Sequence, residues 1–65
     1  MELSINGQRV TTSARTLADL LRELGFEPGD VATAVNREIV RRGERAQRRL
    51  APDDTIEILS PMQGG

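Results

Sequence analysis

Leucines at positions 17, 20, 21 and 24 fall at i, i+3, i+4 and i+7, the one strongly amphipathic helical pattern in this 65-residue chain. The spacing puts four leucines on one helical face, with Arg22 and Glu23 on the wet side. Thr16 stands where an N-cap is wanted, and Asp19 three residues later completes a capping-box pattern. Gly25 follows the last leucine, at the position where a left-handed residue closes a helix, and Phe26 after it can fold back onto Leu21 in a Schellman arrangement. A single amphipathic helix cannot bury its own stripe. The rest of the chain therefore has to supply a sheet for it to cover, and the stripe reads as core rather than as a partner-binding face.

The flanking segments have the period of strands. Glu2-Leu3-Ser4-Ile5 alternates polar and apolar residues. Asn6-Gly7 is a two-residue type I′ hairpin signal, because both residues accept positive φ. Gln8 to Thr12 is the returning strand, anchored by Val10, and Ser13-Ala14-Arg15 connects it to the helix. After the helix, Glu27-Pro28-Gly29-Asp30 reads as a turn. Val31 to Asn36 reads as a strand with Val31, Thr33 and Val35 on one face. Its other face is small throughout, which predicts an inner strand with something packed closely against that side. Arg37-Glu38 is expected to turn the chain into a short edge strand at Ile39-Val40. Leu50 and Ala51 are expected to return to the core, Pro52-Asp53-Asp54 to turn, and Thr55 to Leu59 to form the last strand. In that strand Ile56 and Ile58 point inward, and Thr55, Glu57 and Leu59 point outward.

The order strand, strand, helix, strand, short strand, strand describes an α+β fold. We expect a β-grasp, ubiquitin-like mixed sheet of four to five strands under one main helix, with the first and last strands side by side in the middle. Residues 1–59 form this domain, and 60–65 form a tail ending in Gly64-Gly65. Pro61 cannot donate to a sheet ladder and marks the end of ordered pairing. Two residues without Cβ give the thinnest backbone a protein can offer, and the six tail residues span about 20 Å when extended. The pattern suits delivery of a terminal carboxylate into another protein's active site.

The side-chain inventory narrows the chemistry. There is no cysteine and no histidine, which removes disulfides, thiolate and imidazole metal sites and every nucleophilic triad built on them. Ten carboxylates remain, without a calcium-loop pattern among them. Independent catalysis is not expected, and neither is a bound metal. The apolar runs fall short of the ~20 residues of a bilayer span, and Met1 to Ser4 does not open a signal peptide, so the expectation is a cytoplasmic, membrane-free protein.

All nine cations are arginines, and the net charge is −1. Six of them lie between Arg37 and Arg49 against Glu38 and Glu44, a local balance of +4 that leaves −5 on the remainder. The segment reads either as a solvated loop or as a docking surface for an acidic partner. Nucleic acid is not the expected partner, since Phe26 is the sole aromatic and offers no stacking platform.

Taken together, several stretches resemble the ThiS-type sulfur carriers of thiamin (thiazole) biosynthesis. They are the opening strand with Asn6-Gly7, the helix start Thr16-Leu17-Ala18-Asp19-Leu20-Leu21, the Val35 to Val40 segment, the Leu50 to Ile58 stretch around Asp53-Asp54, and the closing Gly64-Gly65. The resemblance covers essentially the whole chain. Two features depart from it: an aromatic residue is frequent in the charged segment of such proteins, and only Arg45 stands near that position here; and the turn before the last strand, Pro52-Asp53-Asp54, lacks its usual glycine.

The resemblance implies a carrier that is not itself an enzyme. A ThiF-like adenylyltransferase, using ATP and magnesium, would join AMP to the Gly65 carboxylate. A sulfur donor such as a cysteine desulfurase would convert it to a thiocarboxylate. A ThiG-like thiazole synthase would accept the sulfur. Gly65 would be the modified residue, Gly64 the slender approach to it, and Met62 and Gln63 the tunnel-lining contacts. Leu59, exposed just before the tail, would be a docking contact on a protein that is monomeric when free. The same fold and Gly-Gly end also serve the small subunit of molybdopterin synthase and carriers for cysteine synthesis. A ubiquitin-like interaction module with an unmodified terminus is the alternative of another class.

Overall fold

The computed structural model describes residues 1–60. Strands β1 (Glu2–Ile5), β2 (Gln8–Thr11), β3 (Ala32–Val35), β4 (Glu38–Val40) and β5 (Thr55–Leu59) form one mixed sheet in the order β2-β1-β5-β3-β4. Helix α1 (Leu17–Leu24) supplies the cover. β1 and β5 run parallel through the middle of the sheet, and the other pairs are antiparallel. This is the expected β-grasp arrangement of five strands and one helix. Among the described residues, no helix is long and apolar enough to cross a membrane.

The core lies between the helix and one face of the sheet. Leu17, Leu20 and Leu21 from α1 meet Leu3, Val35, Ile56 and Ile58 from the strands, and Ala14, Val31, Val40 and Leu50 close the sides. Each large side chain buried here contributes roughly 1.5–3 kcal/mol. Leu24 does not join them. It is 44% exposed, while Phe26 packs against that end of the core. The helix stops at Gly25, which takes φ 85°, and the Schellman pair forms: Gly25 N–H donates to the Arg22 carbonyl at 3.1 Å and Phe26 N–H to Leu21 at 2.9 Å. Folding back brings Phe26 to the core edge.

The first donors of α1 are all accounted for. Thr16 Oγ1 accepts from the Asp19 N–H at 3.1 Å, as its sequence position suggests. Only that half of the capping box forms. The shorter Asp19 carboxylate pairs with Arg22 instead, at 3.2 Å. The Leu17 and Ala18 N–H groups donate to the carbonyls of Arg48 (2.9 Å) and Arg45 (3.1 Å). The arginine-rich segment is thus held against the start of the helix through its own backbone. Leu50 N–H, donating to the Arg15 carbonyl at 2.9 Å, continues the attachment.

Four further expectations are corrected. The second hairpin turns at Asn36-Arg37, with φ 51° and 71°, one residue earlier than expected, so Glu38 opens β4. Ala51 is exposed, and only Leu50 returns to the core. The small face of β3 is not closely covered: Ala32 is exposed and Ala34 half-buried. The charged segment is not simply a solvated loop, because it contains a 3₁₀ turn (Arg42–Glu44) and a buried arginine, Arg45.

Candidate functional site

β5 leads the chain to its last residues, and both of its neighbours fix it. On one side the parallel ladder pairs Ser4 with Thr55 and Ile5 with Ile56, and Asn6 N–H reaches the Ile56 carbonyl at 2.9 Å. β1 ends there, but the Asn6 side chain prolongs the ladder. Its Nδ2 donates to the Ile58 carbonyl and its Oδ1 accepts from the Ile58 N–H, both at 3.0 Å. The left-handed turn conformation at Asn6, φ 51°, accompanies this reach.

On the other side Asn36, the matching turn residue of the second hairpin, holds the start of β5. Its Oδ1 accepts from Thr55 N–H at 2.9 Å, and its N–H donates to the Thr55 carbonyl at 2.7 Å. Two asparagines in two type I′-like turns thereby anchor the strand that carries the tail, one near each end.

β5 delivers Leu59 to the outer face of the sheet, 67% exposed. The registers Ala32↔Leu59, Ala34↔Glu57 and Ala34↔Ile39 set Leu59, Ala32, Ala34 and Ile39 on that same face. Ile39 is 81% exposed. The result is an apolar strip with low relief beside the point where the chain leaves the sheet. Leu59 is therefore where the sequence suggested. Ile39 was not singled out there, because its face depends on the turn position. Met62, Gln63, Gly64 and Gly65 lie outside the described residues.

Arg45 is the second feature that the sequence did not single out. Its side chain is buried, with 5% of the residue exposed, and its guanidinium donates to Thr33 Oγ1 (3.0 Å), the Pro28 carbonyl (2.8 Å) and the Val31 carbonyl (2.7 Å). All three acceptors are neutral. Burial lowers the Arg45 pKa from its ordinary value, and the nearby Arg42 cation adds to the effect. The only sequence signal for it was that an arginine stands near where the resemblance implies an aromatic residue. Among the described residues, no group of three or more His, Cys, Asp or Glu side chains could hold a metal ion. What this geometry offers is a rigidly anchored strand, an apolar strip and a basic margin.

The chain matches the ThiS family over residues 3–65. It is 34% identical over 61 residues to the sulfur carrier protein ThiS of Thermus thermophilus, covering 94% of this chain and 95% of that protein. It is 38% identical over 66 aligned residues to a thiazole synthase of Magnetococcus marinus, covering all of this chain but only 20% of that protein's length. The crystal structure of the thiamine biosynthesis protein ThiS from Geobacter metallireducens superposes with a TM-score of 0.81 at 28% identity, with full coverage of both chains. The superposition and a family match running from the first strand through Gly65 agree, and the chain belongs to the ThiS family.

Proposed function

We propose that this protein is the sulfur carrier for thiazole formation in thiamin biosynthesis, and that the sulfur rides on the Gly65 carboxylate. A free carboxylate resists substitution because oxide is a poor leaving group. An adenylyltransferase partner uses ATP and magnesium to place AMP on that carboxylate, so that a phosphate-based group can leave. A persulfide from a cysteine desulfurase then supplies the sulfur, and a thiol breaks the remaining sulfur–sulfur bond to leave a thiocarboxylate. A thiazole synthase takes the sulfur from it. The chain has no cysteine and cannot hold a persulfide of its own. It acts as a co-substrate of its partners in the cytoplasm and supplies no catalytic group.

The observation that carries this reading is the anchoring of β5. A strand paired on both sides, and clamped by Asn6 at Ile58, gives the residues after Leu59 a fixed origin. From that origin Met62 and Gln63 line a narrow channel in the partner, and Gly64 lets the backbone enter it. Leu59 docks on the partner's surface. The match to a thiazole synthase favours the thiazole pathway over molybdopterin or cysteine synthesis. The test is reconstituted thiazole formation with the chain shortened by Gly65. Loss of product supports the assignment, and undiminished product overturns it.

A further inference from the structure

The arginine-rich segment has a geometry that the carrier reading does not use. Among the described residues, ion pairs engage Arg9 with Glu2 and Asp53, and Arg22 with Asp19. None of these pairs involves the six arginines from Arg37 to Arg49, a segment that keeps a net charge of +4 with Glu38 and Glu44 counted. Three of them, Arg41, Arg42 and Arg45, line a shallow cleft of about 350 Å³ together with Gly29, Ala32 and Ile39.

Each arginine of the cleft is placed by something specific. Arg45 is fixed by its three neutral acceptors and brings a full positive charge with no carboxylate beside it. Arg42 lies over Gly29, where a Cβ would stand 3.5 Å from its Nη1. Arg41 starts the 3₁₀ turn, its N–H donating to Glu44 Oε1 at 3.3 Å, and its side chain remains exposed.

The cleft also has a telling position. Ala32, one of its lining residues, pairs with Leu59, and Ile39 belongs to both the cleft and the outer apolar strip. Basic cleft and apolar strip are therefore one continuous surface at the end of the sheet where β5 gives way to the tail.

We propose that this cleft receives an acidic segment of the adenylyltransferase that activates Gly65, a carboxylate side chain seating between Arg41 and Arg42 above Arg45. The proposal rests on the carrier reading and deepens it. The apolar strip supplies contact area that tolerates sliding. Guanidinium–carboxylate pairing is directional and fixes how the carrier sits, hence where its tail points. Arg41 and Arg42 make the contact. Arg45 holds the floor of the cleft and adds field.

The experiment measures binding of the full-length carrier to its cognate adenylyltransferase by calorimetry at several salt concentrations. It compares wild type with Arg41→Glu/Arg42→Glu, Arg41→Gln/Arg42→Gln and Arg15→Glu. Arg15 is exposed and does not line this cleft, so its reversal controls for net charge. Wild-type affinity is expected to fall with salt. The double reversal should weaken binding by tenfold or more, and the neutral double variant by less but with a flatter salt dependence. Arg15→Glu should stay within about twofold, and all variants should keep the wild-type melting temperature. Equal affinity of the double reversal and wild type, salt-independent wild-type binding, or an Arg15→Glu loss as large as the double reversal would each overturn the proposal. Sulfur loading of the wild-type chain, read by intact mass in the same preparation, separates the two layers. Loading that proceeds while the arginine variants bind normally rejects only the docking assignment, whereas absent loading with a competent activator rejects the carrier reading.

Discussion

Asn6 and Ile58 are joined by two 3.0 Å hydrogen bonds that copy a β ladder with a side-chain amide. A residue 52 positions earlier in the chain thus sets the last inward-facing residue of the strand leading to the tail. Asn6→Gly keeps the positive φ but removes both bonds, and should lower stability by roughly 1–3 kcal/mol. Asn6→Ala should cost about 1 kcal/mol more, because a Cβ disfavours the left-handed conformation. Urea denaturation gives the order wild type, glycine, alanine. Equal stability of wild type and Asn6→Gly would show that the clamp is idle.

Arg45 should behave as an internal cross-link rather than a surface charge. Arg45→Met strips donors from Thr33 Oγ1 and the carbonyls of Pro28 and Val31, with an expected loss of roughly 1–3 kcal/mol in chemical denaturation. Arg45→Lys should recover little of it, since one ammonium group cannot match the three-way fork. The lowered folded-state pKa means that the native state binds fewer protons than the unfolded chain, so stability from this group rises with pH. That rise falls between the two pKa values, in the strongly alkaline range. From mildly acid to neutral pH, wild type and variant should therefore differ by a constant offset.

The leucine stripe separates into core and margin. Leu20 is fully buried, and Leu20→Ala should cost about 2–5 kcal/mol. Leu24 is 44% exposed, and Leu24→Ala should cost under about 1 kcal/mol. Thermal melts of the two variants read the difference directly. Comparable losses would place Leu24 in the core after all.

Leu59→Glu tests the apolar strip. The side chain stands on the outer face of β5, so the substitution should leave the fold and melting temperature unchanged. Binding to the adenylyltransferase should weaken about tenfold, equivalent to 1.4 kcal/mol. Unchanged activation kinetics would make Leu59 an ordinary surface residue.

Much of this fold was legible because its signals are local. Asn6-Gly7, the Thr16 cap and the Gly25 terminator each declare a backbone conformation within two or three residues. The second hairpin turns one residue earlier than the sequence predicts, because Asn36-Arg37 has no glycine to mark it and Arg37 adopts φ 71° without an obvious sequence cue. The turn position matters for the site. A one-residue change of register moves a strand's side chains to the opposite face, so Ile39 could not be assigned to the outer strip. Arg45 was hidden for a different reason. A run of charges reads as solvated, and what buries this one is a set of carbonyls 14 to 17 residues upstream. The carbonyls of Arg45 and Arg48 that receive the first donors of α1 are equally non-local.

The central claim is that Gly65 carries the sulfur. Its most direct test is the intact mass of the protein after incubation with the cognate adenylyltransferase, ATP and a persulfide donor, with fragmentation to locate any change. The account predicts a gain equal to replacement of one oxygen by sulfur, confined to the C-terminal residue and absent from a chain lacking Gly65. An unchanged mass with an activator shown to be competent, or sulfur found on any other residue, would contradict it.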